Sequence, residues 1–351
     1  MRHPIRLALC LATMLVVGAP LAQAADAPLG PPAAHGAVVL VYHRFGDSRY
    51  PSTNIRMDQF RAHLRELEQP RYHVLPVPEI IARLRNGPPL PDHTVGITVD
   101  DAYRTIYTEA WPLLKAARLP FTIFVATRAV DRGYDDLMNW GQLRELVASG
   151  LVTLGDHSVT HPHMIELGRA EAREEIEESR RRIQQETAQR PTLFAYPYGE
   201  YSFVLRKLVQ ELGFQAAFGQ QSGVIGPGAD RFTLPRFAMD EHYGAIDRFR
   251  LAINALPLPV KDVIPNDMPI SRQDNPPLFG FTVGAGVESL EGLACYVSGQ
   301  PKLVLKHIGP RRVEGRPVQP FPPGRSRINC TLPGPDGRWR WFGAQFYLPG
   351  S

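Results

Sequence analysis

Between Ala37 and Leu212 the chain keeps one rhythm, a short apolar run of strand character followed by an amphipathic stretch of helical length. The runs are Val38 to Tyr42, Val74 to Val77, Val95 to Val99, Phe121 to Ala126, Leu151 to Leu154 and Leu193 to Tyr196. The stretches are Met57 to Glu68, Ile80 to Arg85, Thr105 to Ala117, Trp140 to Ser149, Arg169 to Ala188 and Phe203 to Leu212. Strands joined through helical crossovers lie parallel, with helices against the sheet, so the expected class is α/β, either a (β/α) barrel or an open doubly wound sheet. Both collect their chemistry at the C-terminal ends of the strands. The charge run Glu171 to Arg182 reads as a solvated helix face with Ala172, Ile176 and Ile183 turned inward.

After Leu256 the rhythm stops. Pro257, Pro259, Pro265, Pro269, Pro276 and Pro277 crowd one span, which places a boundary near 256–277. Beyond it the strand-like pieces Phe279 to Val283, Leu293 to Val297, Lys302 to His307, Arg327 to Leu332 and Trp339 to Phe346 follow without helices, as in a small antiparallel β module. Period-2 alternation sets Trp339 and Trp341 on one strand face and Arg338 and Arg340 on the other. The indoles either fill the core of a small sandwich or stack on sugar rings, and the core reading is favoured.

At the N-terminus, Arg2 and Arg6 precede an apolar run from Leu7 to Val17, and Ala22-Gln23-Ala24 offers small residues at a cleavage site. This is the pattern of a secretory signal over residues 1–24, cut before Ala25. The expected division is therefore 1–24 signal peptide, 25–256 barrel domain and 257–351 β-rich module, in a periplasmic or secreted protein. The apolar core of the leader is too short for a comfortable span, and no later segment reaches the roughly 20 apolar residues of a membrane helix. Cys10 lies in the leader; Cys295 and Cys330 remain and are expected to pair in an oxidising compartment, against two separately buried thiols. Loss of the leader removes two arginines and no acid, so 39 basic and 35 acidic residues become 37 and 35, a net charge of +2 that argues against a polyanionic partner such as nucleic acid.

Two short runs carry the chemistry. Thr98-Val99-Asp100-Asp101-Ala102 closes an apolar strand with adjacent carboxylates, which repel unless a cation binds between them. His157-Ser158-Val159-Thr160-His161 supplies two imidazoles, and a carboxylate with two His is the ligand set of an open metal site. Taken singly, the Asp pair reads more often as a solvated turn and the His pair more often as a surface pair; their order, and the position of each at the end of a strand-like run, favour the site. A bound metal lowers the pKa of its water, and the spare carboxylate is placed to take the proton.

These residues resemble the NodB-homology polysaccharide deacetylases, carbohydrate esterase family 4, over roughly residues 36–245. The resemblance implies a distorted (β/α) barrel of the NodB-homology type, here followed by the small antiparallel β module. Thr98-Val99-Asp100-Asp101 resembles the family's T-F-D-D run, implying Asp100 as catalytic base and Asp101 as metal ligand. His157 to His161 resembles the H-[ST]-x-x-H ligand motif. Phe194-Ala195-Tyr196-Pro197-Tyr198-Gly199 resembles the active-site wall, in which the N–H after proline holds the oxyanion, here that of Tyr198. Its form looks like the biofilm poly-N-acetylglucosamine deacetylase branch.

There are departures. Ala102 stands where the family has Gly, which asks the backbone to avoid positive φ. Tyr196 replaces the motif's Arg, and Arg236 in Leu234-Pro235-Arg236 is the candidate cation for orienting Asp100, against a surface Arg after a strand. For the general acid the chain offers two strand-then-His patterns, Val39-Leu40-Val41-Tyr42-His43 and Leu303-Val304-Leu305-Lys306-His307. His43 is favoured because the similar branch is circularly permuted; a buried structural His is the alternative for either.

The expected activity is metal-dependent hydrolytic de-N-acetylation of an exported polysaccharide containing N-acetylglucosamine, releasing acetate. Asp101, His157 and His161 would hold Zn²⁺, with Co²⁺, Ni²⁺ or Fe²⁺ also suited to the set. Asp100 would be the base, Tyr198 N–H an oxyanion donor and His43 the acid. Two alternatives stand beside it: an O-deacetylase of an acetylated glycan such as xylan, and a catalytically silent carbohydrate-binding protein on the same fold. The expected partner is a polysaccharide, and export-complex partners are unspecified.

Overall fold

Seven parallel strands form the main sheet: β1 (Ala37–Tyr42), β2 (Thr94–Asp100), β3 (Phe121–Val125), β4 (Val152–Asp156), β5 (Leu193–Ala195), β6 (Ala216–Phe218) and β7 (Phe237–Ala238), in the order β7-β1-β2-β3-β4-β5-β6. They belong to a computed structural model that describes Met1 and residues 36–350. The expected signal, its cleavage before Ala25 and Cys10 lie outside the described residues. A short strand, His73–Val74, also pairs with β2. Every residue of β1, β2 and β3 is buried, which is why these strands read as continuous apolar runs rather than alternating ones.

Six helices follow the expected stretches, α1 (Met57–Leu67), α2 (Val77–Asn86), α3 (Trp111–Ala116), α4 (Trp140–Ala148), α5 (Arg169–Thr187) and α6 (Phe203–Glu211), and α7 (Ile246–Ile253) forms where none was expected. In α5, Ala172, Ile176 and Ile183 are buried beneath the charged face. The stretch expected as one helix from Thr105 to Ala117 opens instead as a wider π turn, Ile106–Ala110, before α3. Pro112 explains it, because a proline lacks the N–H that an unbroken ladder would need there.

Val39, Phe124, Ala195, Phe218 and Leu234 cluster inside the curved sheet, packed against Val77 and Ile81 of α2. Gly155 makes room for this filling, since a Cβ there would lie 2.3 Å from the Phe124 ring. The barrel closes through one segment. Leu234 bridges Phe218 of β6 in parallel, and three residues later β7 pairs with β1, so Leu234 to Ala238 spans the gap between the last and first strands.

The C-terminal part is a sandwich of two four-stranded sheets. One runs Leu256–Pro257, then β13 (Trp339–Leu348), β12 (Gly324–Pro333) and β10 (Ala294–Val297); the other runs β8 (Val260–Ile264), β9 (Phe279–Val283), β11 (Arg312–Gly315) and Lys306–His307. Phe279, Phe281, Val313, Ile328, Leu332 and Phe346 from both sheets share one core. Cys295 and Cys330 face each other across β10 and β12 and are bonded. The Pro-rich span holds β8, an edge strand flanked by Pro259 and Pro265, as suits residues that cannot donate to a ladder. Residues 36–350 form one compact unit. Trp341 does not fill the sandwich: its ring meets Phe237 of β7 edge-on at 5.3 Å, while Trp339 is 39% exposed.

Candidate active site

β2 delivers Asp100 and Asp101 to its C-terminal end, where the backbone turns sharply. Asp101 has φ +73 and Ala102 φ +58, so Ala102 does not avoid the left-handed region as expected. Its carbonyl accepts from Met138 N–H at 2.9 Å and its methyl is fully buried, which holds the residue in a conformation costing about 1–2 kcal/mol outside glycine. Ser158, His161 and Tyr198 also have positive φ, so all three motifs place non-glycine residues in this region. Strain of that kind persists only where the surrounding structure enforces it.

β4 ends at Asp156, and His157 follows fully buried beside the Asp pair. The Nδ1 of His157 lies 2.7 Å from Ala195 O; a carbonyl only accepts, so Nδ1 carries the proton and Nε2 keeps its lone pair. That Nε2 lies 3.6 Å from Asp101 Oδ1, and His161 Nε2 lies at the same distance from the same oxygen. Burial lowers the His157 pKa to about 4, leaving the ring neutral at physiological pH. α5 fixes the loop between the two imidazoles, as Glu175 accepts from the backbone N–H of Val159 at 3.0 Å and of Thr160 at 2.8 Å. One ligand atom from each of Asp101, His157 and His161 falls within 4.8 Å of the others. Two neutral imidazoles, one oriented by a second-layer carbonyl, and one carboxylate fit a divalent metal such as Zn²⁺.

Asp100 takes no part in that triad. Its Oδ1 and Oδ2 accept from Arg236 Nη1 at 2.7 Å and Nη2 at 2.9 Å, and neither side chain has any exposure. Arg236 is carried there by the closing segment, not left on the surface. Its Nε donates to Gly219 O at 2.9 Å and its Nη1 also to Thr98 Oγ1 at 3.1 Å, while its guanidinium lies between the Phe124 and Phe218 rings at 5.4 and 5.9 Å. Burial works to raise the Asp100 pKa, but the Arg236 charge and the neighbouring imidazoles outweigh it and bring it to about 2.

His43, one residue past β1, sets its Nε2 3.9 Å from Asp100 Oδ2, with its side chain 17% exposed. His307 lies exposed on the short outer strand of the module, paired with Val313. The Tyr198 ring meets His161 edge-on at 4.5 Å and stacks on His163 at 4.2 Å.

Sequence reasoning missed the residues behind Tyr198. His163 Nδ1 lies 2.8 Å from buried Glu200, and Arg325 of β12 and Gln345 of β13 donate to the Tyr198 carbonyl at 3.1 and 3.4 Å. The available signal was Gln345 itself, a polar residue in an apolar strand.

A parallel barrel sheet covered by helices, with a carboxylate and two imidazoles gathered at its strand ends, matches the distorted barrel of the NodB type. Residues 87–217 match the polysaccharide deacetylase family model, so this part of the chain is a polysaccharide deacetylase domain of the NodB type. It is 27% identical over 236 residues to the poly-beta-1,6-N-acetyl-D-glucosamine N-deacetylase of Escherichia coli (strain K12), covering 54% of this chain and only 34% of that protein. It is 26% identical over 204 residues to the protein of the same name from Staphylococcus epidermidis, covering 54% of this chain and 70% of that one. The solved structure of IcaB from Ammonifex degensii superposes with a TM-score of 0.57 at 26% identity, over 63% of this chain and 98% of that one.

Proposed function

We propose that this protein removes acetyl groups from the nitrogens of an exported N-acetylglucosamine polymer, in a reaction that depends on a divalent metal. The observation that carries the reading is the ionised, Arg236-clamped Asp100 standing directly beside the Asp101, His157 and His161 ligand cluster. The resemblance of Tyr196-Pro197-Tyr198-Gly199 to the poly-N-acetylglucosamine branch, and the named relatives, support the substrate class.

When bound by Asp101, His157 and His161, the metal supplies Lewis acidity toward the acetamide oxygen and its attacking water. Asp100 accepts the proton of that water, and Arg236 keeps its carboxylate ionised and aimed. The Tyr198 N–H donates to the oxyanion as the carbonyl becomes tetrahedral. His43, on the other side of Asp100, gives a proton to the departing amine, releasing acetate and a glucosamine unit. Zn²⁺ is the metal we assign, since tetrahedral N/O sites with an open position suit it. Among the described residues no helix is long and apolar enough to cross a membrane, and export rests on the basic and apolar leader pattern at residues 1–24.

The test is acetate release from N-acetylglucosamine oligomers in β-1,6 and β-1,4 linkage and from acetylated xylan, with and without chelator. Release from the β-1,6 oligomers that stops with chelator and returns with Zn²⁺ is expected. Release from xylan alone would make this an O-deacetylase. Binding of oligomers without release by metal-loaded protein would make it a carbohydrate-binding protein.

A further inference from the structure

The Tyr198 turn is held from both sides. Tyr198 and Gly199 both have positive φ, at +58° and +71°, and a Cβ on Gly199 would lie 2.5 Å from Gln220 N, so the barrel side leaves no slack. The other side is built by the β sandwich. Gln345 of β13, only 3% exposed, donates through Nε2 to Gly199 O at 3.2 Å and to Tyr198 O at 3.4 Å. Its Oε1 accepts from Arg327 Nε at 3.0 Å, which fixes which end of the amide faces the turn. Arg325 adds a donor to Tyr198 O at 3.1 Å. Further along, the Tyr201 N–H points to Met268 Sδ at 3.5 Å, and the Phe203 N–H to the Asp267 carboxylate at 3.0 Å. Four backbone positions of one loop, Tyr198, Gly199, Tyr201 and Phe203, are therefore anchored by residues beyond 256.

We infer that the C-terminal β sandwich is part of the catalytic unit, with Gln345 as a positioning residue that holds the Tyr198–Gly199 turn in the geometry where the Tyr198 N–H meets the oxyanion. This rests on the deacetylase reading above. A buried amide bonded to the Tyr198 and Gly199 carbonyls fixes the two peptide planes that directly follow the Tyr198 N–H, and so the Tyr198 backbone that aims it; oxyanion donors act only when they are held in place before the reaction. Misplacement of about 1 Å at such a group is enough to cost up to 10²-fold in rate. A docking role alone would affect the attachment of the sandwich and leave turnover untouched.

Gln345→Leu keeps the volume and removes the donors. Full-length variant and wild type are compared, loaded with Zn²⁺, for kcat and KM on β-1,6 N-acetylglucosamine oligomers, for metal stoichiometry, and for amide hydrogen exchange across residues 196–202. The expected result is a kcat lower by about 10-fold or more, with KM within about twofold, unchanged metal content and faster exchange confined to that segment. Should Leu prevent folding, Gln345→Glu retains the size and the Arg327 contact while removing the donors, and is read in the same way. A folded variant with wild-type kcat overturns the inference, as does a fall in activity that tracks only metal loss or global destabilisation. If the wild type itself releases no acetate, the deacetylase reading fails; exchange in residues 196–202 that is the same in variant and wild type overturns the brace on its own.

Discussion

Arg236 meets Asp100 through two parallel hydrogen bonds in a site with no solvent exposure on either partner. The pair joins the segment that closes the barrel to the end of its second strand, so one contact serves both closure and the site. Removing one member leaves the other charge buried and uncompensated, which typically costs about 3–5 kcal/mol. Arg236→Met is therefore expected to lose stability on that scale in urea unfolding and to lose nearly all turnover. Adding Asp100→Leu is expected to recover much of the stability and none of the activity. Equal stability of wild type and Arg236→Met would mean the pair is not coupled to the fold.

Under the proposed mechanism the neighbouring carboxylates have different tasks. His157→Ala, His161→Ala and Asp101→Ala are each expected to abolish stoichiometric Zn²⁺ binding along with activity. Asp100→Asn is expected to keep its metal while kcat falls about 10² to 10⁴-fold, the usual contribution of a general base. Metal content by atomic absorption beside turnover checks both, and the reverse pattern would exchange the roles of Asp100 and Asp101.

The strand rhythm up to Leu212 was legible because strands buried on both faces must be apolar throughout, and the meeting of Asp101 with His157 and His161 because each motif's spacing is local. Arg236 was legible only as a candidate: it lies 136 residues from Asp100, and nothing near it says that Leu234 will bridge β6. β6 and β7 are three and two residues long, too short for any period to show. Ala102 misled because glycine's ease at positive φ is a local preference, and here the packing around a buried methyl overrides it. The alternation in β13 was readable, but no local pattern says that Trp341 turns toward Phe237 or that Gln345 turns toward Tyr198.

Two buried groups pull the pH dependence of stability in opposite directions. Burial pushes the Asp156 carboxyl up from 3.8 to about 7, so the folded state holds a proton the unfolded chain has released, and stability is lost as pH rises through that window. Burial lowers His63, stacked on Phe249 at 3.8 Å, from 6.5 to about 4, so its contribution is lost as pH falls through that range. The wild-type curve sums these with the other shifted groups, Asp100 and His157 among them, and a difference curve isolates one. Asp156→Asn keeps an acceptor for the Ser158 N–H that Asp156 Oδ1 now takes at 2.9 Å. Its stability relative to wild type is expected to rise from pH 4 to 7 and then level off, by about 2–4 kcal/mol in all. Urea titrations at pH 5, 6, 7 and 8 measure this, and a difference that stays flat or shrinks with pH would show Asp156 to be ionised in the fold.

The acid is the step that the two strand-then-His patterns leave open and that leaving-group chemistry can resolve. An amine departs from a tetrahedral intermediate only when protonated, whereas an aryl alkoxide of low basicity departs unaided. His43 lies 3.9 Å from Asp100, and His307 sits exposed on the outer strand of the sandwich. His43→Ala is therefore expected to lower kcat on N-acetylglucosamine oligomers by about 10² to 10⁴-fold while activity on an activated aryl acetate falls much less. His307→Ala is expected to match wild type on both substrates. A His43→Ala protein that loses both activities equally would place His43 in orienting Asp100 instead, and a His307→Ala protein selectively dead on the amide would move the acid to the sandwich.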